Sequence, residues 1–327
     1  MNNFEFIANN NSVLAQKLAH SLGHHLHDIE VNHFADSETY INLNDVAKLE
    51  KLKNLFVLNQ FYFSTIGFSS INNQMFNFLF LINLLKKIGA ENIVAFLPYL
   101  PYSRQDKMSL ILVQSLSRDR DSKDLGSIDL VSKFLKTAGI NKLITCEMHN
   151  TEIIKDLDLE IENIDFSPFW FEFLKSDVFT SLIENDFSKV CFVAPDKGAK
   201  LRNQKLSDNF GSKLAFVEKT RVAPDSPVAM NLDGDVKDKI VIMVDDIIDT
   251  GKTAIKACEL ILKNGAKKVI GCFTHAVLSP GAVKRIDTSL FDRVFITDTI
   301  LIDRNSLSKK FFIVSVDKFL ESYFKKL

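Results

Sequence analysis

Short apolar runs alternate with helix-period stretches along nearly the whole chain, and few folds accept that rhythm. In the first half a run at 54–58 precedes a helical pattern at 73–87, a run at 92–97 precedes one at 129–138, and a further run follows at 143–146. The second half repeats the scheme, with runs at 189–194, 213–217, 240–244 and 269–275 interleaved with helical patterns at 200–210 and 253–263. Strands that are apolar throughout and alternate with helices specify mostly parallel sheets flanked by helices, an α/β architecture. At 327 residues the chain exceeds one typical domain and suits two, each with its own core. The join is expected at 157–168, where the helical pattern lapses into Asp, Glu and Asn before Pro168. That gives domains at 1–160 and 161–305 and a tail at 306–327, whose end reads as a strand and a closing helix.

Composition removes several classes of function. A formal net charge of -1 gives no reason to expect nucleic acid or an anionic membrane as partner. The longest apolar helix pattern, 75–85, is interrupted by Asn77 and Asn83 and is too short to span a bilayer, so it reads as a core helix. The N-terminal residues lack the basic start and apolar stretch of a signal peptide, which points to the cytoplasm. Cys146, Cys191, Cys258 and Cys272 are scattered through apolar contexts and read as reduced core thiols.

One strand-to-helix passage carries chemistry. From Ile240 the apolar run stops on Asp245 and Asp246, passes Asp249, Thr250 and Gly251, and enters a helical pattern at Lys252 and Thr253. Backbone N–H groups at such a helix start favour an anion, and the two Thr hydroxyls add donors. The two carboxylates suit sugar hydroxyls or a hydrated magnesium ion beside that anion. A buried strand with an acidic helix cap would explain one Asp but makes poor use of three. A Walker loop fails on spacing, because its first glycine position holds Asp246.

This passage resembles the ribose-phosphate loop of type I phosphoribosyltransferases, and the chain as a whole resembles the ribose-phosphate pyrophosphokinase family. Motifs in the family's order carry the resemblance: Phe34-Ala-Asp36-Ser37-Glu38, Pro98 to Lys107, Glu147-Met-His149, Pro195-Asp196-Lys197-Gly198, Glu218-Lys219-Thr-Arg221, the acidic passage, and Thr297-Asp-Thr299-Ile300. The resemblance implies two similar phosphoribosyltransferase-like domains, with the tail packed back on the first. It also implies transfer of the β,γ-pyrophosphoryl group of ATP to the 1-hydroxyl of ribose 5-phosphate, with Mg2+ as cofactor.

Roles follow residue by residue. Lys219 and Arg221 match the catalytic pair on a flexible loop, and the segment after them, 222–235, reads as the rest of that loop. Asp245, Asp246, Asp249, Thr250, Gly251, Lys252 and Thr253 match the ribose 5-phosphate site. Phe34, Asp36, Glu38, Arg104 and Gln105 match the ATP site. Asp196, Lys197, Gly198 and Ala199 match the pyrophosphate loop, and His149 with Asp196 the metal-linked positions. Because the family completes its nucleotide site across a subunit boundary, the resemblance implies a homo-oligomer built from dimers, with a hexamer as the assembly to test for. Ser37 and Ala199 stand where the family usually has glycine, and 108–126 is longer than the family's connection there. Two rival readings stay open: a catalytically impaired regulatory paralogue, and a phosphoribosyltransferase.

Overall fold

The computed structural model describes residues 4–9, 12–36, 38–43, 53–62, 70–106, 126–220 and 229–327. Lys107, nearly all of the long charged segment after it, Ser37 and Arg221 lie outside these residues. The chain divides into two compact units, the first Met1–Ile164 with Asp317–Leu327, the second Asp165–Val316.

The first unit holds β1 (Glu5–Asn9), α1 (Val13–Ser21), β2 (Leu26–His33), β3 (Thr39–Leu43), β4 (Asn54–Leu58), α2 (Ile71–Lys87), β5 (Asn92–Leu97), α3 (Ser127–Ala138), β6 (Lys142–Cys146) and β7 (Glu160–Ile164). The second holds α4 (Ser167–Lys175), β8 (Val190–Ala194), α5 (Lys200–Phe210), β9 (Lys213–Thr220), β10 (Ala229–Asp233), β11 (Ile240–Ile248), α6 (Lys252–Lys263), β12 (Lys268–Ala276), α7 (Ala282–Asp287), β13 (Arg293–Thr297) and β14 (Phe311–Val314). A last helix, α8 (Asp317–Phe324), returns to the first unit.

Each unit has one seven-stranded sheet, ordered β3-β2-β1-β4-β5-β6-β7 and β10-β9-β8-β11-β12-β13-β14. The two orders are the same pattern repeated. Among the described residues only the β2–β3 and β9–β10 pairs are antiparallel, so each sheet is mostly parallel with one hairpin at its edge.

The helices bury one stripe against these sheets, as their sequence period requires. On α6 the buried residues are Ala254, Ala257, Cys258 and Ile261, which recur at helical spacing. The tail divides, with β14 as an edge strand beside β13 and α8 packed on the first sheet. Phe324 stands edge-on to Phe56 and Phe96, with ring centroids at 5.2 and 5.0 Å, and Lys17 reaches Asp317 at 2.9 Å. Removing a fully buried ring of that kind costs about 3–5 kcal/mol.

Two local readings are corrected. β11 does not stop at the first carboxylate but runs through Asp245 and Asp246 to Ile248, because its pairing with β12 continues to Ile248–Ala276. β9 continues through Lys219 to Thr220, and part of the segment expected as loop is β10, paired Met230–Lys219 and Asp233–Phe216. In both places a neighbouring strand supplies hydrogen bonds that override local polarity.

Candidate active site

Parallel strands deliver their C-terminal ends to one edge of a sheet, and loops at that edge build sites in open α/β folds. In the second unit that edge gathers the ends of β9, β8, β11 and β12 side by side.

After β8 the chain turns at Asp196, whose Oδ1 accepts the amides of Gly198 at 3.0 Å and Ala199 at 3.3 Å. This carboxylate therefore shapes the loop that leads into α5, and Ala199 caps that helix without any side-chain hydrogen bond. Ala199 keeps an ordinary negative φ of -79°, so its methyl group fits where a second glycine was expected.

After β11 the turn Asp249–Gly251 leads into α6. Gly251 takes φ +76°, where a Cβ would meet Ile286 at 3.1 Å, so only glycine fits without strain. Gly251, the cap residue of α6, has no side chain to offer, and Thr250 Oγ1 accepts the Lys252 amide only at a long 3.5 Å. A helix start with amides left open is an anion site.

Asp246 is buried at 7% exposure, and Asp245 is largely buried beside it. Burial and the adjacent Asp246 charge hold the Asp245 carboxyl well above the usual carboxylate range; Arg202 opposes the rise and Asp196 adds to it. Arg202 Nη1 lies 3.4 Å from Asp245 Oδ1. The loop is braced from behind, with Ser279 Oγ donating to Asp249 and Arg285 Nε donating to the Thr250 carbonyl at 2.9 Å.

Between the β8 loop and the hairpin lies a cleft of about 420 Å³ lined by Asp196, Lys197, Lys200, Phe216, Val217, Glu218 and Asp233. Lys200 holds its ammonium 4.2 Å from the centre of the Phe216 ring. The backbone of Lys219 follows directly in β9.

In the first unit the corresponding edge carries Arg104 and Gln105 beyond β5 and His149 beyond β6. These two loops are tied together by Asn150 Nδ2, which donates to Asp106 Oδ2 at 2.8 Å. Two residues flanking them, Tyr102 at φ +66° and Glu147 at φ +43°, hold a backbone conformation that non-glycine residues avoid. Phe34, Asp36 and Glu38 sit on the β2–β3 hairpin, all exposed, with Phe34 packed on Tyr40 at 4.6 Å and Asp36 Oδ1 accepting the Glu38 amide. Strands β1 and β4 separate this hairpin from β5, roughly 15 Å at ordinary strand spacing. The unit does not bring the two parts of the expected ATP site together.

Comparisons with known proteins agree with this layout. Residues 5–124 match the model described as the N-terminal domain of ribose phosphate pyrophosphokinase, and 176–302 match the phosphoribosyl transferase domain. The chain is 31% identical to the ribose-phosphate pyrophosphokinase of Fusobacterium nucleatum subsp. nucleatum over 95% of its length and 90% of that protein. The Thermotoga maritima enzyme of the same name gives the same figures. The chain belongs to the ribose-phosphate pyrophosphokinase family.

A crystal structure of phosphoribosylpyrophosphate synthetase from Mycobacterium smegmatis covers 99% of the chain with a TM-score of 0.80 at 26% identity, and 98% of that structure is matched. One family motif is structural here: Thr297 and Thr299 are wholly buried and both donate to the Thr274 carbonyl, at 2.6 and 3.1 Å. Arg202, Asn203, Ser279 and Arg285 were not singled out from the sequence. None lies in a motif, and only helical position could have flagged Arg202 and Asn203, which share the first turn of α5.

Proposed function

We propose that this chain transfers the β,γ-pyrophosphoryl group of ATP to the 1-hydroxyl of ribose 5-phosphate, giving phosphoribosyl pyrophosphate and AMP. The carrying observation is the pair of helix starts, α5 and α6, that open side by side at one sheet edge with Asp245 and Asp246 between them. The 5-phosphate is held by the α6 amides with the Thr250 and Thr253 hydroxyls, and the acidic strand end receives the sugar hydroxyls. The pyrophosphoryl group lies against the Asp196–Ala199 loop, with Lys197 as a further cation. The 1-hydroxyl oxygen bonds to the β-phosphorus, the bridge to the α-phosphate breaks, AMP leaves with the bridging oxygen, and the hydroxyl proton is released. Such a transfer needs placement and charge neutralisation more than covalent help, which is the work assigned to Lys219 and Arg221.

Magnesium fits the donor set. Asp196, Asp245 and Asp246 are hard oxygen donors, and a divalent cation would offset both the burial and the neighbouring carboxylate charge that raise the Asp245 pKa. When bound, it would screen the phosphate charges; in the first unit His149 is proposed, on its own, as a metal-linked residue. Among the described residues no three His, Cys, Asp or Glu side chains form a metal cage, so water and phosphates would complete its shell, as magnesium prefers.

We extend the reading to a homo-oligomer built from dimers, up to a hexamer, in which the Phe34–Glu38 hairpin serves a neighbouring protomer's Arg104 and Gln105. A cytoplasmic location accords with four buried free thiols. The test is AMP and phosphoribosyl pyrophosphate formation in equal amounts from ATP, Mg2+ and ribose 5-phosphate. Formation of ADP, or no turnover, would overturn the reading.

A further inference from the structure

Resting on that reading, we infer that Asn203 is a positioning residue that fixes the pyrophosphate loop to the acidic strand. The pairing of β8 with β11 runs from Val190–Ile240 to Phe192–Ile242 and stops there, although β8 itself continues to Ala194 beside β9. On that side of β11 the N–H and C=O of Val244 face a gap in the ladder. Val244 is wholly buried, so water is not at hand to pair them.

Asn203 fills the gap. Its Oδ1 accepts the Val244 amide at 3.2 Å and its Nδ2 donates to the Val244 carbonyl at 2.7 Å, in place of two backbone groups of a neighbouring strand. The second Nδ2 hydrogen goes to the carbonyl of Ala199, the cap residue of α5, at 2.8 Å. The side chain is at 0% exposure, and both its donors are used.

The chemistry of the position admits few replacements. Leucine would fill the volume and leave both Val244 groups unpaired. Aspartate could accept but not donate, and glutamine is one methylene too long for a packed interior. One amide thus sets the separation between Ala199, at the end of the pyrophosphate loop, and Val244, which immediately precedes Asp245. In the proposed reaction the attacking hydroxyl is held by one of these elements and the transferred group by the other. Displacement of one against the other by about 1 Å costs on the order of 10²-fold in rate.

The experiment compares Asn203→Ala and Asn203→Ser with wild type, reading kcat and the KM of each substrate at a temperature where circular dichroism shows the variants folded. Asn203→Ala is expected to raise the KM for ribose 5-phosphate and to lower kcat/KM by roughly tenfold to 10²-fold. The KM for ATP should move less, since most of the residues assigned to ATP lie in the first unit. Asn203→Ser, which keeps one hydroxyl between the two backbones, should fall between. A fall in kcat no larger than the loss of folded protein seen by circular dichroism would report only a smaller folded fraction and would overturn the positioning role. So would wild-type kinetics in either folded variant, or failure of both variants to fold, which would make Asn203 a residue of the fold only. If wild type forms no AMP, the pyrophosphokinase reading fails instead. Asn203 is then judged by calorimetric titration of ribose 5-phosphate into wild type and Asn203→Ser, where equal affinity, or no binding by either, overturns it.

Discussion

The two units share one strand order and treat the same junctions in opposite ways. In the first unit the helices that follow β1 and β4 are capped by serines: Ser12 accepts the Ala15 amide at 3.0 Å and Ser70 the Asn73 amide at 3.2 Å. In the second unit the helices at the matching places, after β8 and β11, begin at Ala199 and Gly251 with no side-chain cap. A capped helix start satisfies its own amides, whereas an uncapped one offers them to a ligand. The hairpins diverge in the same manner. The β2–β3 hairpin carries Phe34, Asp36 and Glu38, assigned to the nucleotide, and the β9–β10 hairpin carries Lys219, with Arg221 just beyond the described strand. A repeated scaffold can therefore divide labour through a few residues at equivalent edges while its sheets stay alike.

The hairpins give the sharpest way to break this comparison. Lys219→Ala and Arg221→Ala should each lower kcat by roughly 10²–10³-fold with little change in the KM for ribose 5-phosphate. Asp36→Ala should act chiefly on the KM for ATP, and mixing it with Lys219→Ala should restore activity through hybrid sites if the nucleotide site is shared between protomers. Equal kinetic signatures from the two hairpins would dissolve the contrast.

The open helix starts come next. Thr250→Val and Thr253→Val should each weaken ribose 5-phosphate binding by about 1–3 kcal/mol, measured by calorimetry, with Tm nearly unchanged. Their counterparts in the first unit should behave the other way round. Ser12→Ala and Ser70→Ala should each cost about 1 kcal/mol of stability in denaturant titration and leave both KM values alone. A serine variant that altered ribose 5-phosphate binding would show that the first unit's helix starts are not merely structural.

The smallest effect concerns the cores that both units keep closed. All four cysteines are buried as free thiols. Burial disfavours the thiolate, pushing Cys191 up to about 11 and Cys258 up to about 12, with Cys146 and Cys272 also raised. At pH 8 these thiols stay protonated, so Ellman's reagent should leave the native protein nearly unlabelled and label four thiols after denaturation. Rapid labelling of native protein would mean that one unit opens far more readily than the other.

Much of this was written in local sequence. Continuous apolar runs and period-3.6 patterns placed β4, β5, β6, α2, α3 and the strands and helices around the acidic passage, because burial leaves its mark within a few residues. Glycine at 251 and the carboxylates at 245 and 246 marked the candidate site for the same reason, since turn geometry and charge are properties of single positions. Tertiary structure decided what depends on distant partners. The reach of β11 to Ile248 came from β12, and β10 became a strand only beside β9. Asn203 and Val244 are 41 residues apart, and nothing in either neighbourhood announces that a side-chain amide will complete a strand's ladder. Periodicity records which face is buried; it does not record which backbone groups a neighbouring strand leaves unpaired, and that is settled only when the strands are in place.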